Sequence, residues 1–366
     1  MKTGLRNNSI KASNDVELAR LRKEKWNLYV PLEPIQHSFN GNPVKLRPGL
    51  TLTPFANAVK CNAHCTFCSE DLVRKDGHIP TAKNLIRNYG EYFRGLKEVL
   101  KSCEGLNIGL SLSGLEATAE PVWLLQLLAL IKDVSPYFSL DEKVMYTNGS
   151  GFLVNPEIIE AIEEAGFDRI ELSRCHYNET INQEIMRFNR NQPVWKNEEY
   201  KRLFNDPYLS SKIKNSCILT KKGVNNIVEV ETYLDWTASL GVQTVVFREM
   251  SRLDHSYQTN TTSHWIEDNR IEIDSIIQTV ASSYSDVRKH WSYQSSTLGY
   301  YYYNEHFLWK DKMEVILETS SYPALMQANN SGVIQKLIYH SNGNLTGDWD
   351  ADNFVIAQYK KEPVKI

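Results

Sequence analysis

Between residues 49 and 250 the spacing of apolar positions keeps switching between two periods. Residues 49–55 alternate apolar and polar and are rich in β-branched side chains, which predicts a strand. The same signature returns at 106–112, 143–147, 169–173, 216–220 and 242–247. Between these runs the apolar residues recur at helical spacing, over 81–101, 122–134, 155–165, 179–188 and 227–240. Punctuation agrees with the period: Pro121 suits a helix start, and Gly166 and Gly241 suit helix ends.

Strands and helices that alternate across short connections imply parallel strands joined by right-handed crossovers. The expected architecture is an α/β fold, a partial (β/α)6 barrel of the TIM type spanning 48–250. A doubly wound sheet is the alternative. In either case the functional residues belong at the C-terminal ends of the strands. Residues 1–47 read as an N-terminal extension, with a helical patch at 15–25 and an irregular Pro-containing stretch after it.

After Met250 the rhythm fails. A helix is expected at 266–282, then an aromatic-rich stretch at 291–310 that includes Tyr300, Tyr303, His306 and Trp309. Strands follow at 313–318 and 333–339, and Asn342-Gly343 marks a hairpin turn. Residues 251–366 are thus expected to form a C-terminal β-rich, α+β appendage covering the barrel mouth. A polar insertion at 189–214 interrupts the alternation before the fifth strand.

Composition narrows the class without changing this picture. With 42% apolar and 23% charged residues over 366 positions, the chain can bury a large core. A formal charge of −3, from 41 basic and 44 acidic residues, gives no field for nucleic acid or an anionic membrane. Residues 1–15 contain no apolar signal region. The longest apolar run, near 122–131, is too short to span a membrane. Six cysteines, three clustered and three scattered, do not form a disulfide framework and point to a reducing, cytoplasmic setting.

The clustered three carry the strongest chemical signal. Cys61, Cys65 and Cys68 lie in Cys61-Asn62-Ala63-His64-Cys65-Thr66-Phe67-Cys68, directly after the first expected strand. Three thiolates are one fewer than a closed zinc or iron–sulfur site takes. One reading completes the set with His64, His78 or Cys103 as a structural zinc site, giving a zinc-stabilised α/β binding protein. The loop also resembles the CxxxCxΦC signature of radical S-adenosylmethionine (SAM) enzymes, with Phe67 as the aromatic residue. That resemblance covers about residues 48–250. It implies one [4Fe–4S] cluster on Cys61, Cys65 and Cys68, with SAM completing the open iron.

The same resemblance supplies further candidates. Ser113-Gly114-Leu115-Glu116 is similar to the Gly-Gly-Glu-Pro segment that receives the SAM ammonium, although Leu115 and Ala117 replace its second glycine and its proline. The resemblance further implies SAM contacts for Thr147 and Asn148, in Thr147-Asn148-Gly149, and for Ser173 and Arg174. Each also has a plain structural reading, as a strand-ending turn or a surface salt bridge. Arg248 could hold SAM or substrate, or simply pair with Glu249. Cys175, and with it Cys217, could donate a hydrogen atom to a substrate radical, though a lone cysteine in a strand is more often a small buried hydrophobe.

No cysteine follows Cys217, so the C-terminal part cannot supply ligands for a second cluster. There is also no room before residue 48 for a cobalamin domain. A single-cluster enzyme is therefore expected. It would abstract hydrogen from a small molecule (a sugar, nucleoside or amino-acid-derived compound) in natural-product or cofactor biosynthesis, fed electrons by a flavodoxin or ferredoxin. Modification of a ribosomal peptide is the alternative. Substrate contacts are expected from 189–214 and 291–310.

Overall fold

The computed structural model describes residues 8–75, 84–253, 255–282 and 286–359. Its strands, in chain order, are β1 (Asn8–Ile10), β2 (Ile35–Phe39), β3 (Asn42–Pro54), β4 (Asn107–Leu112), β5 (Ser139–Thr147), β6 (Arg169–Ser173) and β7 (Ile213–Ile218). Then come β8 (Thr244–Arg248), β9 (Trp291–Leu298), β10 (Tyr302–Trp309), β11 (Met313–Ser320), β12 (Val333–Tyr339), β13 (Asn344–Thr346) and β14 (Val355–Gln358). The helices that matter for the site are α1 (Asp15–Glu24), α2 (Tyr89–Ser102), α3 (Pro121–Val134), α4 (Ser150–Val154), α5 (Glu157–Ala165) and α6 (Glu179–Met186). They continue with α7 (Asn197–Arg202), α8 (Pro207–Lys212), α9 (Ile227–Ser239), α10 (Thr261–Asn269), α11 (Asp274–Ala281) and α12 (Tyr322–Asn329).

β3 to β8 are the six expected strands, and they pair in parallel in chain order. The parallel run continues past both ends. β11 adds beside β8, and β12 adds beside β3. Residues on both sides of the 48–250 stretch thus enter one sheet, with β3 itself starting at Asn42. The sheet is not closed: β11 and β12 occupy opposite edges of the parallel run and do not pair. Helix α12 carries the chain from one edge to the other.

A tyrosine turn fills this seam. The β9–β10 hairpin pairs antiparallel to β11, and its turn spans residues 299–302. Ser321 N, just after β11, donates to Tyr301 O at 2.9 Å. On the other edge the Tyr301 ring lies 5.9 Å from Lys336 Nζ of β12, and the Tyr300 ring 5.4 Å from the Arg47 guanidinium of β3. Aromatic faces attract cations, so the turn is held from both sides.

The two faces of the sheet differ in chemistry. The face toward the helices is apolar: Leu52, Ile108, Leu110, Leu112, Ile170, Leu172, Val245, Phe247, Val315 and Leu337 are all buried. Each contributes about 1.5–3 kcal/mol of burial. The alternate positions carry charge. Arg248 of β8 bonds Glu171 of β6, two strands away, a reach possible only across the concave interior. Arg169 extends the network to Glu171 and Glu142.

Four elements differ from the sequence expectation. The helix at 266–282 is two helices, α10 and α11. Arg270 between them is extended (φ −61°, ψ 136°), because its guanidinium bonds Met250 O and pairs with Glu249. The helix at 155–165 is preceded by the short α4, and the insertion at 189–214 contains α7 and α8. The helix expected from residue 81 begins at Tyr89, and residues 81–83 lie outside the described set. The N-terminal stretch docks on the C-terminal part: β1 pairs with β9, and Arg22 of α1 bonds Asp274 and the buried Glu305. Among the described residues no helix is long and apolar enough to cross a membrane.

Candidate functional site

At the C-terminal ends of the parallel strands lies a cavity of about 560 Å³, and the cysteine loop forms one side of it. The loop is irregular backbone whose polar groups need partners. It finds them on the exposed carbonyls ending α6, where no further helical N–H is available. His64 N donates to Met186 O and Arg187 O, and Thr66 N to Ile185 O at 2.9 Å. Arg187 makes this possible by turning into the left-handed region (φ 50°). Asn189 N closes the contact on Asn62 O at 3.0 Å.

Cys61, Cys65 and Cys68 all line the cavity. Burial pushes the thiols of Cys61 and Cys68 up to about 12 and that of Cys65 well above its ordinary value. Thiolates in this setting need a bound cation's charge. Among the described residues no three Cys, His, Asp or Glu side chains converge as the ligands of a single ion would. Around one tetrahedral zinc the sulfurs would crowd to roughly 3.8 Å from one another, whereas three thiolates on a cluster sit on separate irons. His64 is exposed. Cys103 is buried at the end of α2, which leads into the N-terminal end of β4, away from the loop. His78 lies outside the described residues.

Opposite the loop, the segment after β4 presents Ser113, Gly114, Leu115 and Glu116 to the same cavity. Gly114 has φ 128°, and a Cβ there would lie 2.8 Å from Ala56 N, so no other residue fits this close approach. The Ser113 hydroxyl is buried and has no hydrogen-bond partner among the described residues. Glu116 is buried, and its two oxygens are unequally used. Oε1 accepts from Thr118 N (3.0 Å), Thr118 Oγ1 (2.7 Å) and Thr147 Oγ1 (2.5 Å), whereas among the described residues Oε2 accepts only Asn148 N (2.7 Å). Burial pushes this carboxyl up, and the four donors pull it back. An orphaned hydroxyl, a glycine cradle and a carboxylate oxygen with spare capacity suit a ligand bearing an ammonium.

Thr147, Asn148 and Ser173 also line the cavity, as does Phe67, whose ring lies 6.3 Å from Trp265 of α10. Three sequence candidates sit elsewhere. Arg174 is buried away from the cavity over the rings of Tyr200 (4.8 Å) and Trp236 (5.9 Å). Its guanidinium donates to His176 O, Val194 O and Asn197 Oδ1. Arg248 does not pair with Glu249; it bonds Glu318, Glu171 and Ser216 beneath the cavity. Cys175 is buried behind Cys65, close enough for a charge on either thiol to disfavour one on the other, and it does not line the cavity.

Much of the remaining wall comes from sequence with no motif, including Arg74, Tyr146, Tyr257, Glu318, Tyr322, Met326, Asp348 and Trp349. Of 291–310 only Tyr301 reaches the cavity, and of 189–214 no residue does. That insertion instead wraps Arg174. Asn62 and Thr118, which bind the strand-end loops together, were also missed, although each stands within two residues of a residue that was named.

No protein-family model matches the chain, and no curated protein matches it by sequence. Solved structures do. SuiB of Streptococcus suis bound to precursor peptide SuiA aligns over 95% of this chain at 12% identity, with a TM-score of 0.50; the chain spans 66% of SuiB's length. anSMEcpe with bound AdoMet aligns over 86% of this chain and 80% of its own, at 13% identity and a TM-score of 0.48. Coproporphyrinogen III oxidase (HemN) from Escherichia coli, a radical SAM enzyme, aligns over 71% and 67%, at 13% identity and a TM-score of 0.39. By fold the chain is an open α/β barrel of parallel strands like that of SuiB.

Proposed function

We propose that the chain is a single-cluster radical SAM enzyme acting on a small molecule. The observation that carries this reading is the meeting of three thiols, the unpaired Ser113 hydroxyl and the half-used Glu116 carboxylate in one cavity. Cys61, Cys65 and Cys68 would hold a [4Fe–4S] cluster, and Glu116 Oε2 with Ser113 would receive the ammonium of SAM. When bound, that pair of groups supplies a 5′-deoxyadenosyl radical able to abstract a hydrogen atom. The protein's contribution is orientation and exclusion of water. Phe67 and Trp265 shield the loop on one side, and Thr147 and Thr118 fix the carboxylate.

The half of the cavity away from the cysteines is where substrate would sit. Tyr301, Tyr322 and Trp349 offer faces for a planar or sugar-like group, and Glu318 and Asp348 offer acceptors. A sugar, nucleoside or amino-acid-derived compound suits that mixture, with a flavodoxin or ferredoxin as electron donor. A structural zinc site has less support, since Cys103 is remote and His64 faces solvent.

Anaerobic reconstitution with iron and sulfide tests the reading. About four irons per chain are expected, with a SAM-dependent change in the reduced spectrum and release of 5′-deoxyadenosine on adding dithionite. Cys65→Ala should abolish all three signals, and Cys103→Ala should keep them. Colourless protein with one zinc and no SAM cleavage would overturn it.

A further inference from the structure

Spacer residues in a ligand loop usually need only backbone, but Asn62 uses its side chain fully. Its Oδ1 accepts Asn148 Nδ2 at 2.8 Å, and its Nδ2 donates to Ser150 Oγ at 2.6 Å and Gln192 Oε1 at 3.3 Å. Asn148 relays the contact. Its Oδ1 accepts Ser150 N at 3.0 Å, and its backbone N–H donates to Glu116 Oε2 at 2.7 Å. A continuous path therefore runs from the residue after Cys61, through the loop after β5, to the carboxylate after β4. Three strand-end loops are tied by one short network, and such buried networks act as units.

We propose that Asn62 is a positioning residue that sets the Cys61 end of the cysteine loop against Glu116, and so matches the cluster's open side to the bound SAM ammonium. This rests on the radical SAM reading above. Backbone bonds hold the loop at residues 62, 64 and 66 and anchor the approach to it at Ala56, which exchanges bonds with Ser113 and Leu115, but among the described residues no backbone bond joins 61–68 itself to 113–116. The Asn62–Asn148 pair is what crosses that gap. Removing either side chain leaves all three thiols and the Asn148 N–H to Glu116 in place, so the ligands persist while their relative placement loosens.

The test is titration of SAM into the reconstituted, dithionite-reduced protein, following the SAM-induced change in the electron paramagnetic resonance signal. Asn62→Ala should take up wild-type iron yet need about tenfold more SAM, the scale of losing the one contact, to Asn148, that leads to Glu116. Asn148→Ala should shift the titration similarly, and the double variant should be no worse than either single, because on the path to Glu116 the two act through the one contact they share. Should Asn62→Ala lose iron, Asn148→Ala decides by the same titration. Half-saturation within about twofold of wild type, or additive losses in the double variant, would overturn the proposal while leaving the enzyme reading intact. A wild-type chain that binds no cluster would overturn both.

Discussion

Arg248 and Glu318 meet beneath the cavity, Nε to Oε1 at 2.7 Å, and Arg248 also holds Glu171 of β6 at 3.0 Å. One cation thus serves two carboxylates from strands on either side of it. Arg248→Met would strip Glu318 of its cation and leave Glu171 with Arg169 alone. The expected cost is about 2–4 kcal/mol, at the lower end for a buried pair because the groups keep some exposure. Urea unfolding of the metal-free protein measures it, and an unchanged midpoint would refute the assignment.

Arg174 separates a structural role from a cofactor role. It is buried with no carboxylate partner, held by two rings and three acceptors on the 176–197 segment. Arg174→Ala should lower stability by about 2–4 kcal/mol, through lost packing and stranded acceptors. SAM affinity should stay within about twofold. Arg174→Lys should not restore stability, since a lysine cannot reproduce the planar stack and fork. A selective loss of SAM binding would return Arg174 to the cofactor site.

Gly151 marks the closest approach of two strand-end loops. A Cβ there would lie 2.1 Å from Thr118 O and 2.4 Å from the Thr118 side chain. Because Thr118 gives Glu116 two hydrogen bonds, Gly151→Ala should displace the carboxylate as well as strain the fold. The expected result is about 1–3 kcal/mol of destabilisation together with weaker SAM binding, read by urea unfolding and by titration. Undisturbed SAM binding would show that Glu116 keeps its place without Thr118.

His340 should set an acid limit on stability. It is buried at the end of β12 with Nε2 2.8 Å from Thr346 Oγ1, and burial lowers it from 6.5 to about 4. Between those values the unfolded chain binds the proton and the folded chain does not. Its contribution is therefore intact above about pH 6.5 and is lost on acidification toward pH 4, by up to roughly 3 kcal/mol. His340→Gln should flatten the dependence of the urea midpoint on pH in that window. Parallel curves for the two proteins would count against it.

Local signals made much of this readable. The strands at 106–112 and 169–173 and the helix ended by Gly166 are set by period and punctuation, and they appear nearly as expected. The cysteine loop and Glu116 could be placed at one cavity because spacing along the chain survives folding. Arg174 and Arg248 were harder, since a sequence does not say which face of a strand end looks into a cavity. Arg174 turned outward because Tyr200 and Trp236, from later segments, made a slot for it. β11 and β12 carry ordinary strand patterns, and only their pairing with β8 and β3 shows that they extend the parallel sheet. Tyr301 and Trp349 enter the wall through that pairing, so nothing nearby in sequence announces them.

The pairing of Leu52 with Leu337 also has a consequence for how the protein is made. At translation rates of about 5–20 residues per second, β3 emerges on the order of 10–60 s before the strand that covers its edge. Throughout that interval the three cysteines exist without the Asp348–Trp349 wall beside them. The opening onto the cysteines is therefore broader during synthesis than in the finished fold, and on the proposed reading slowing the appearance of the last strand would lengthen the time available for cluster loading.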